Sequence, residues 1–186
     1  MTSLIKAGII TASDRSSEGR RADTSGILLK SLAEELPAEV IAYQVFPDDK
    51  QILKKALCHM ADLLHCDLIL TTGGTGLGLR DHTPEATLEV IDKEIPGIPQ
   101  AIREDGARKT PFAMLSRAVA GIRGKTLIVN LPGSPEAVRD SFEILRPVLR
   151  HAVELLHGRV GDCKEVRKGE WGERSRALSN YSHSHS

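Results

Sequence analysis

Aromatic side chains are scarce: three Phe, two Tyr and one Trp in 186 residues, 3% of the chain. So few rings cannot furnish the stacking platform that grips single-stranded nucleic acid. A surplus of charge of either sign is also missing, since 25 Lys and Arg face 25 Asp and Glu. Without a basic excess there is no general attraction to a phosphate backbone, so a DNA or RNA binder is excluded. No apolar run approaches the ~20 residues that span a bilayer. Met1 to Ile10 has neither the basic start nor the cleavage site of a signal peptide, and a soluble, cytoplasmic protein without a membrane partner is expected. Cysteine is limited to Cys58, Cys66 and Cys163, at spacings that match no zinc signature and no disulfide framework. His59 and His65 flank the first two, but on a helix Cys58 and His59 diverge while Cys58 and Cys66 stand about two turns apart. They read as idle thiols.

What the chain does have is an organised body and a different end. Residues 1–158 hold 19 basic and 21 acidic side chains and predict one domain; residues 159–186 hold 6 and 4 and little apolar content. The second part is expected to be a flexible polar extension. Its Trp171 packs on the body or meets a partner, and His183 and His185 in a Ser-rich end need no function. Within the body, Leu4–Ile10, Glu39–Val45, Leu68–Thr72 and Thr126–Asn130 read as strands. The last two carry unbroken apolar triplets, as in a buried parallel sheet. Helices are predicted over Ser25–Leu36 and Asp49–Leu64, the first opened by Asp23, the second by Asp48 with Gln51 three residues on. Thr83-Pro84, Thr110-Pro111 and Ser134-Pro135 each set a hydroxyl cap before a proline. They start helices near 84–93, 111–120 and 135–157, the last divided at Pro147, and a further helix is predicted near 99–108. Such alternation predicts an α/β fold: a three-layer sandwich with a mostly parallel central sheet and helices on both faces.

In a parallel sheet the strand ends converge on one rim, where ligands bind. Thr11-Ala12-Ser13-Asp14-Arg15 follows the first strand, and Phe46-Pro47-Asp48-Asp49 the second. The third leads into Thr71-Thr72-Gly73-Gly74-Thr75-Gly76 and then Arg80-Asp81-His82-Thr83-Pro84-Glu85. Glycines let backbone amides approach an anion, so Gly73, Gly74, Thr75 and Gly76 form either a phosphate nest or merely a tight turn. The run fails both the dinucleotide and the P-loop spacing. Asn130, Leu131, Pro132, Gly133, Ser134 and Pro135 end in a capped helix N-terminus, a second anion site or simply a good cap. Together the two loops describe a pocket for a phosphorylated compound. Asp48 is a helix cap or a metal ligand, and Asp81 a loop acid or the second ligand, since Mg²⁺ sits on one or two carboxylates plus substrate phosphates. Arg15, Arg80 and Arg117 are the candidate cations, Arg117 on a helical stretch.

Taken in series, Thr71-Thr-Gly-Gly-Thr-Gly, Arg80-Asp-His-Thr-Pro-Glu-Ala, Pro96-Gly, the Pro111 to Lys125 segment and Asn130-Leu-Pro-Gly-Ser-Pro-Glu-Ala-Val resemble the MogA family of molybdenum-cofactor biosynthesis, which includes the G domains of gephyrin and its plant counterparts. The likeness spans about residues 4–158. It implies a molybdopterin adenylyltransferase that uses ATP, molybdopterin and Mg²⁺ and releases pyrophosphate. It also implies a homotrimer that passes its product to a molybdate-insertion protein. The two acids the family needs match Asp48 and Asp81. The two glycine loops, with Ser116 nearby, match its ligand-binding segments, and Ser13, Asp14 and Arg15 match its first loop. A non-catalytic molybdopterin-binding or scaffold protein of the same fold is the alternative.

Overall fold

The computed structural model describes residues 4–159. The predicted extension therefore lies outside the described residues apart from Arg159, and so do Cys163, Trp171, His183 and His185. Four strands run parallel in the order β2 (Ala38–Phe46), β1 (Ile5–Ala12), β3 (Leu68–Thr72) and β6 (Thr126–Leu131). Two further strands, β5 (Ala120–Arg123) and β4 (Lys93–Glu94), complete a six-stranded sheet, β5 antiparallel to both its neighbours.

Alternation along the strands builds two cores. Ile9, Leu68, Leu70, Leu127 and Val129 face α2 (Thr24–Glu34), α5 (Gly97–Lys109) and α6 (Pro135–Leu156), meeting Leu29, Leu32, Ile102 and Phe142. Ile10, Ile69 and Ile128 point the other way, to Leu53, Leu57 and Ala86 of α3 (Lys50–Cys58) and α4 (Thr83–Leu88). Both faces of β3 and β6 are buried throughout, which is why these strands are continuously apolar. The three-layer α/β expectation holds.

Four local expectations need correction. The helix predicted over 111–120 is only a 3₁₀ turn, Pro111–Leu115, after which the chain extends into β5. Tertiary bonds override the local pattern there: Arg117 N–H donates to Thr75 O at 2.9 Å, and Val119 N–H to Asn130 Oδ1 at 3.2 Å. The helix predicted over 84–93 ends at Leu88, because residues 93–94 pair with β5. Helix α6 runs through Pro147 undivided. Its buried stripe, Val138, Phe142, Leu145, Leu149 and Val153, outweighs a local penalty of about 3 kcal/mol for an interior proline. Finally, Asp49 rather than Asp48 caps α3, accepting from Gln51 and Ile52 N–H. That substitution of one aspartate for its neighbour releases Asp48 for other work.

Among the described residues no helix is long and apolar enough to cross a membrane. Cys66 is buried at 2% exposure, and burial pushes its thiol up to about 11. At pH 8 its thiolate population is therefore about a hundredfold below that of an ordinary thiol. Peptide mapping after alkylation should find Cys66 unlabelled in native protein and labelled in denaturant.

Candidate functional site

The chain leaves β1 for β2 on one side and leaves β3 for the β6–β5–β4 side, so the strand order reverses between the neighbours β1 and β3 and opens a crevice at their C-terminal ends. A cleft of about 780 Å³ occupies that crevice. Its floor is the ends of β1 and β3, Thr11, Ala12, Thr72, Gly73 and Gly74; its walls are Ser13, Asp14, Arg15, Asp48 and the Gly133-Ser134-Pro135 start of α6. Ser134 Oγ accepts from Ala137 N–H at 3.3 Å and fixes the α6 N-terminus against the cleft. The positive end of a 22-residue helix favours an anion there.

Two glycines shape this floor. Gly73 has φ +91° and its hydrogen faces Ala12 O; Gly74 has φ +62°. A Cβ on Gly74 would stand 2.4 Å from Thr83 Oγ1 and 2.9 Å from Asp48 Oδ1. Both of those oxygens are buried without a hydrogen-bond partner. Thr83 is thus not the expected cap of α4, whose N-cap is His82. It is the first helical residue, and its hydroxyl points to the same spot as the free oxygen of Asp48.

Asp48 Oδ2 accepts from Asp14 N–H at 2.9 Å, and Asp14 Oδ1 accepts from Asp48 N–H at 3.0 Å. Burial pushes the Asp48 carboxyl above the usual carboxylate range, the negative charge of Asp14 adding to the effect. Asp81 Oδ2 accepts from Gly78 N–H at 2.7 Å and closes the turn between Gly76 and Asp81. A second cavity, of about 620 Å³, lies beyond the two acids, lined by Lys50, Gln51, Leu77, Arg80, His82 and Arg117 among others. Asp48 and Asp81 are the residues common to the cleft and to this cavity.

Beside this geometry, sequence and structure comparisons agree. The family model MoCF_biosynth, "Probable molybdopterin binding domain", matches residues 8–151. The chain belongs to this family. The molybdopterin adenylyltransferase of Helicobacter pylori (strain J99) is 41% identical over 164 residues, 87% of this chain and 93% of the relative. That of Escherichia coli (strain K12) is 34% identical over 177 residues, 91% and 88% of the two chains. The crystal structure of the molybdopterin biosynthesis enzyme MoaB from Thermus thermophilus is 50% identical, with a TM-score of 0.79, covering 83% of this chain and 98% of that one.

In this molybdopterin-binding domain the remaining expected residues divide by location. Arg15 lines the cleft with no side-chain partner among the described residues. Arg21, which the sequence did not single out, joins it there with one long bond to Ser13 Oγ at 3.5 Å. Arg80 and Arg117 are occupied. Arg80 lies on Asp14; Arg117 donates to Gly76 O at 2.7 Å and Asp81 O at 2.6 Å and pairs with the Glu85 carboxylate. Arg117 is a rivet that joins the glycine loop to Asp81 and α4. Thr75, Gly76, Ser116 and Pro132 line a third, more apolar cavity of about 550 Å³ with Phe112 and Leu115, and Ser134 borders both this cavity and the cleft.

Asn130 and Leu131 are fully buried. The Asn130 amide donates to Thr71 Oγ1 at 3.0 Å and Thr87 Oγ1 at 2.9 Å, and its oxygen takes Val119 N–H. It braces the floor from beneath. Asn130→Ala should destabilise the domain by about 1–3 kcal/mol, because buried groups lose their partners; urea unfolding measures it.

Proposed function

We propose that this chain is a molybdopterin adenylyltransferase that moves the adenylyl group of ATP onto the terminal phosphate of molybdopterin. The observation that carries the proposal is the position of Asp48 and Asp81 where two cavities meet. A transfer between two bound molecules needs their reacting ends at one place, and these acids mark it. In the step itself, a phosphate oxygen of molybdopterin bonds to the α-phosphorus of ATP, the bond from that phosphorus to the bridging oxygen breaks, and pyrophosphate leaves. Such a transfer asks for alignment and charge stabilisation rather than a covalent nucleophile on the protein. The α6 N-terminus, the Gly73–Gly76 turn, Arg15 and Arg21 supply positive potential for phosphate oxygens, with Ser13 and Ser134 as polar neighbours. Gly73 N–H donates to Leu131 O at 3.3 Å, so this amide holds the floor together.

Two carboxylates beside a phosphate cleft repel the substrate unless a cation lies between them. Mg²⁺ fits the donors present: Asp48 Oδ1 is buried and unpartnered, and Asp81 borders the same space. Among the described residues no three His, Cys, Asp or Glu side chains could close around an ion. That suits a metal held by one or two carboxylates and completed by substrate phosphates. When bound, it would screen phosphate charge.

The resemblance further supports a cytoplasmic homotrimer that hands its product to a molybdate-insertion protein. Sedimentation should then give a particle of three times the 20.2 kDa chain. For the activity, purified protein with ATP, molybdopterin and Mg²⁺ should release pyrophosphate only when both substrates are present. Tight molybdopterin binding without pyrophosphate would establish the non-catalytic alternative instead.

A further inference from the structure

Asp14 opens the short helix α1 (Asp14–Ser17), Asp48 lies in the loop after β2 and Arg80 in the loop after β3, and the three meet as one unit. Arg80 Nε donates to Asp14 Oδ2 at 2.6 Å, and Nη2 to Asp14 Oδ1 at 2.9 Å. Asp14 in turn exchanges backbone–carboxylate bonds with Asp48 in both directions. The chain of contacts therefore runs from the guanidinium through Asp14 to both the backbone and one carboxylate oxygen of Asp48. Only Asp48 Oδ1 is left, and it faces Gly74 and the Thr83 hydroxyl.

Two physical facts decide what this unit does. An ion pair as exposed as this one, with the Arg80 side chain 61% accessible, adds little to stability. The fold has small need of it. Yet two aspartates bonded to each other's backbone repel, and a bidentate guanidinium removes that repulsion while fixing the Asp14 rotamer. The Nε–Nη2 edge of the guanidinium, the edge suited to bidentate grip of a phosphate, is taken by the Asp14 carboxylate.

We propose that Asp14 and Arg80, besides bordering the two cavities, form a positioning unit that acts on the reaction through Asp48. This rests on the adenylyl-transfer reading for its effect on rate, but not for its geometry. Asp14→Asn keeps an oxygen for Asp48 N–H and loses the charge pair; Arg80→Gln loses it from the other side. Each should lower kcat about 10- to 100-fold, the loss expected from a slightly misplaced group. KM for ATP and for molybdopterin should stay at the wild-type values. The double variant should be no slower than the slower single one, and Arg80→Lys should recover part of the rate. Melting temperatures should stay within about 2–4 °C of wild type.

Additive losses in the double variant, or a raised KM in Arg80→Gln, would overturn the proposal by placing Arg80 on a substrate. A large fall in melting temperature with kcat retained would overturn it by making the pair a fold contact. Crystal structures of the two single variants test the geometry without turnover. Asp48 Oδ1 displaced from Gly74 in both supports the unit, and an unmoved carboxylate refutes it. Lack of product from the wild-type protein would refute adenylyl transfer alone, with the structural arm still deciding the positioning unit.

Discussion

Asp48→Asn and Asp81→Asn are each expected to lower kcat by about 10²–10³-fold, the loss typical of removing one charge-stabilising group from a transition state. Both changes are nearly isosteric, which makes them informative. The amide introduced at position 48 retains an oxygen for Asp14 N–H, and the one at position 81 retains an oxygen for Gly78 N–H, so the loops that these acids hold keep their hydrogen bonds. What is lost is negative charge at the meeting point of the two cavities. Steady-state kinetics beside thermal melting separates the effects. A variant at wild-type rate would return its aspartate to a loop-shaping role.

Gly73→Ala is expected to have the largest effect on the fold near the site. At φ +91° an L side chain is strained, and an added Cβ would stand 2.3 Å from Ala12 O, a backbone atom of β1. The left-handed conformation costs about 1–2 kcal/mol, and forcing atoms into a packed region about 1–3 kcal/mol more. A total of about 2–5 kcal/mol follows from those two ranges. Because β1 and β3 must part to make room, the cleft floor should shift and activity should fall with stability. Gly124→Ala is the control: its φ is +56° but nothing lies within 4 Å of the added Cβ, so only the strain remains. Urea unfolding of both variants reads the difference. Equal losses would mean that the Ala12 contact is unimportant.

How far the sequence predicted this site depends on the range of the forces involved. Continuous apolar runs such as Leu68–Leu70 and Leu127–Val129 dictated buried parallel strands, because that pattern has no other comfortable home in a small α/β domain. Asp23, Thr110 and Ser134 were recognisable as caps, since capping is settled within a few residues. Residues whose partners lie far along the chain were not readable in this way. Arg117 seemed to ride a helix, but its partners Thr75, Gly76, Asp81 and Glu85 come from another part of the fold and hold the segment extended. Asp48 and Asp49 are adjacent aspartates at the same helix start, and only the bonds to Asp14 decide which one caps. The role of Thr83 was hidden for a similar reason. A hydroxyl before a proline ordinarily signals a cap, whereas here the helix begins one residue earlier and turns that hydroxyl toward Asp48 and Gly74.

The most direct measurement of the central claim follows the α-phosphorus. With ATP labelled at that atom, molybdopterin, Mg²⁺ and the full chain, label should appear on the pterin in step with unlabelled pyrophosphate. Label found only in free AMP or ADP, or left in ATP while molybdopterin is bound, would contradict it.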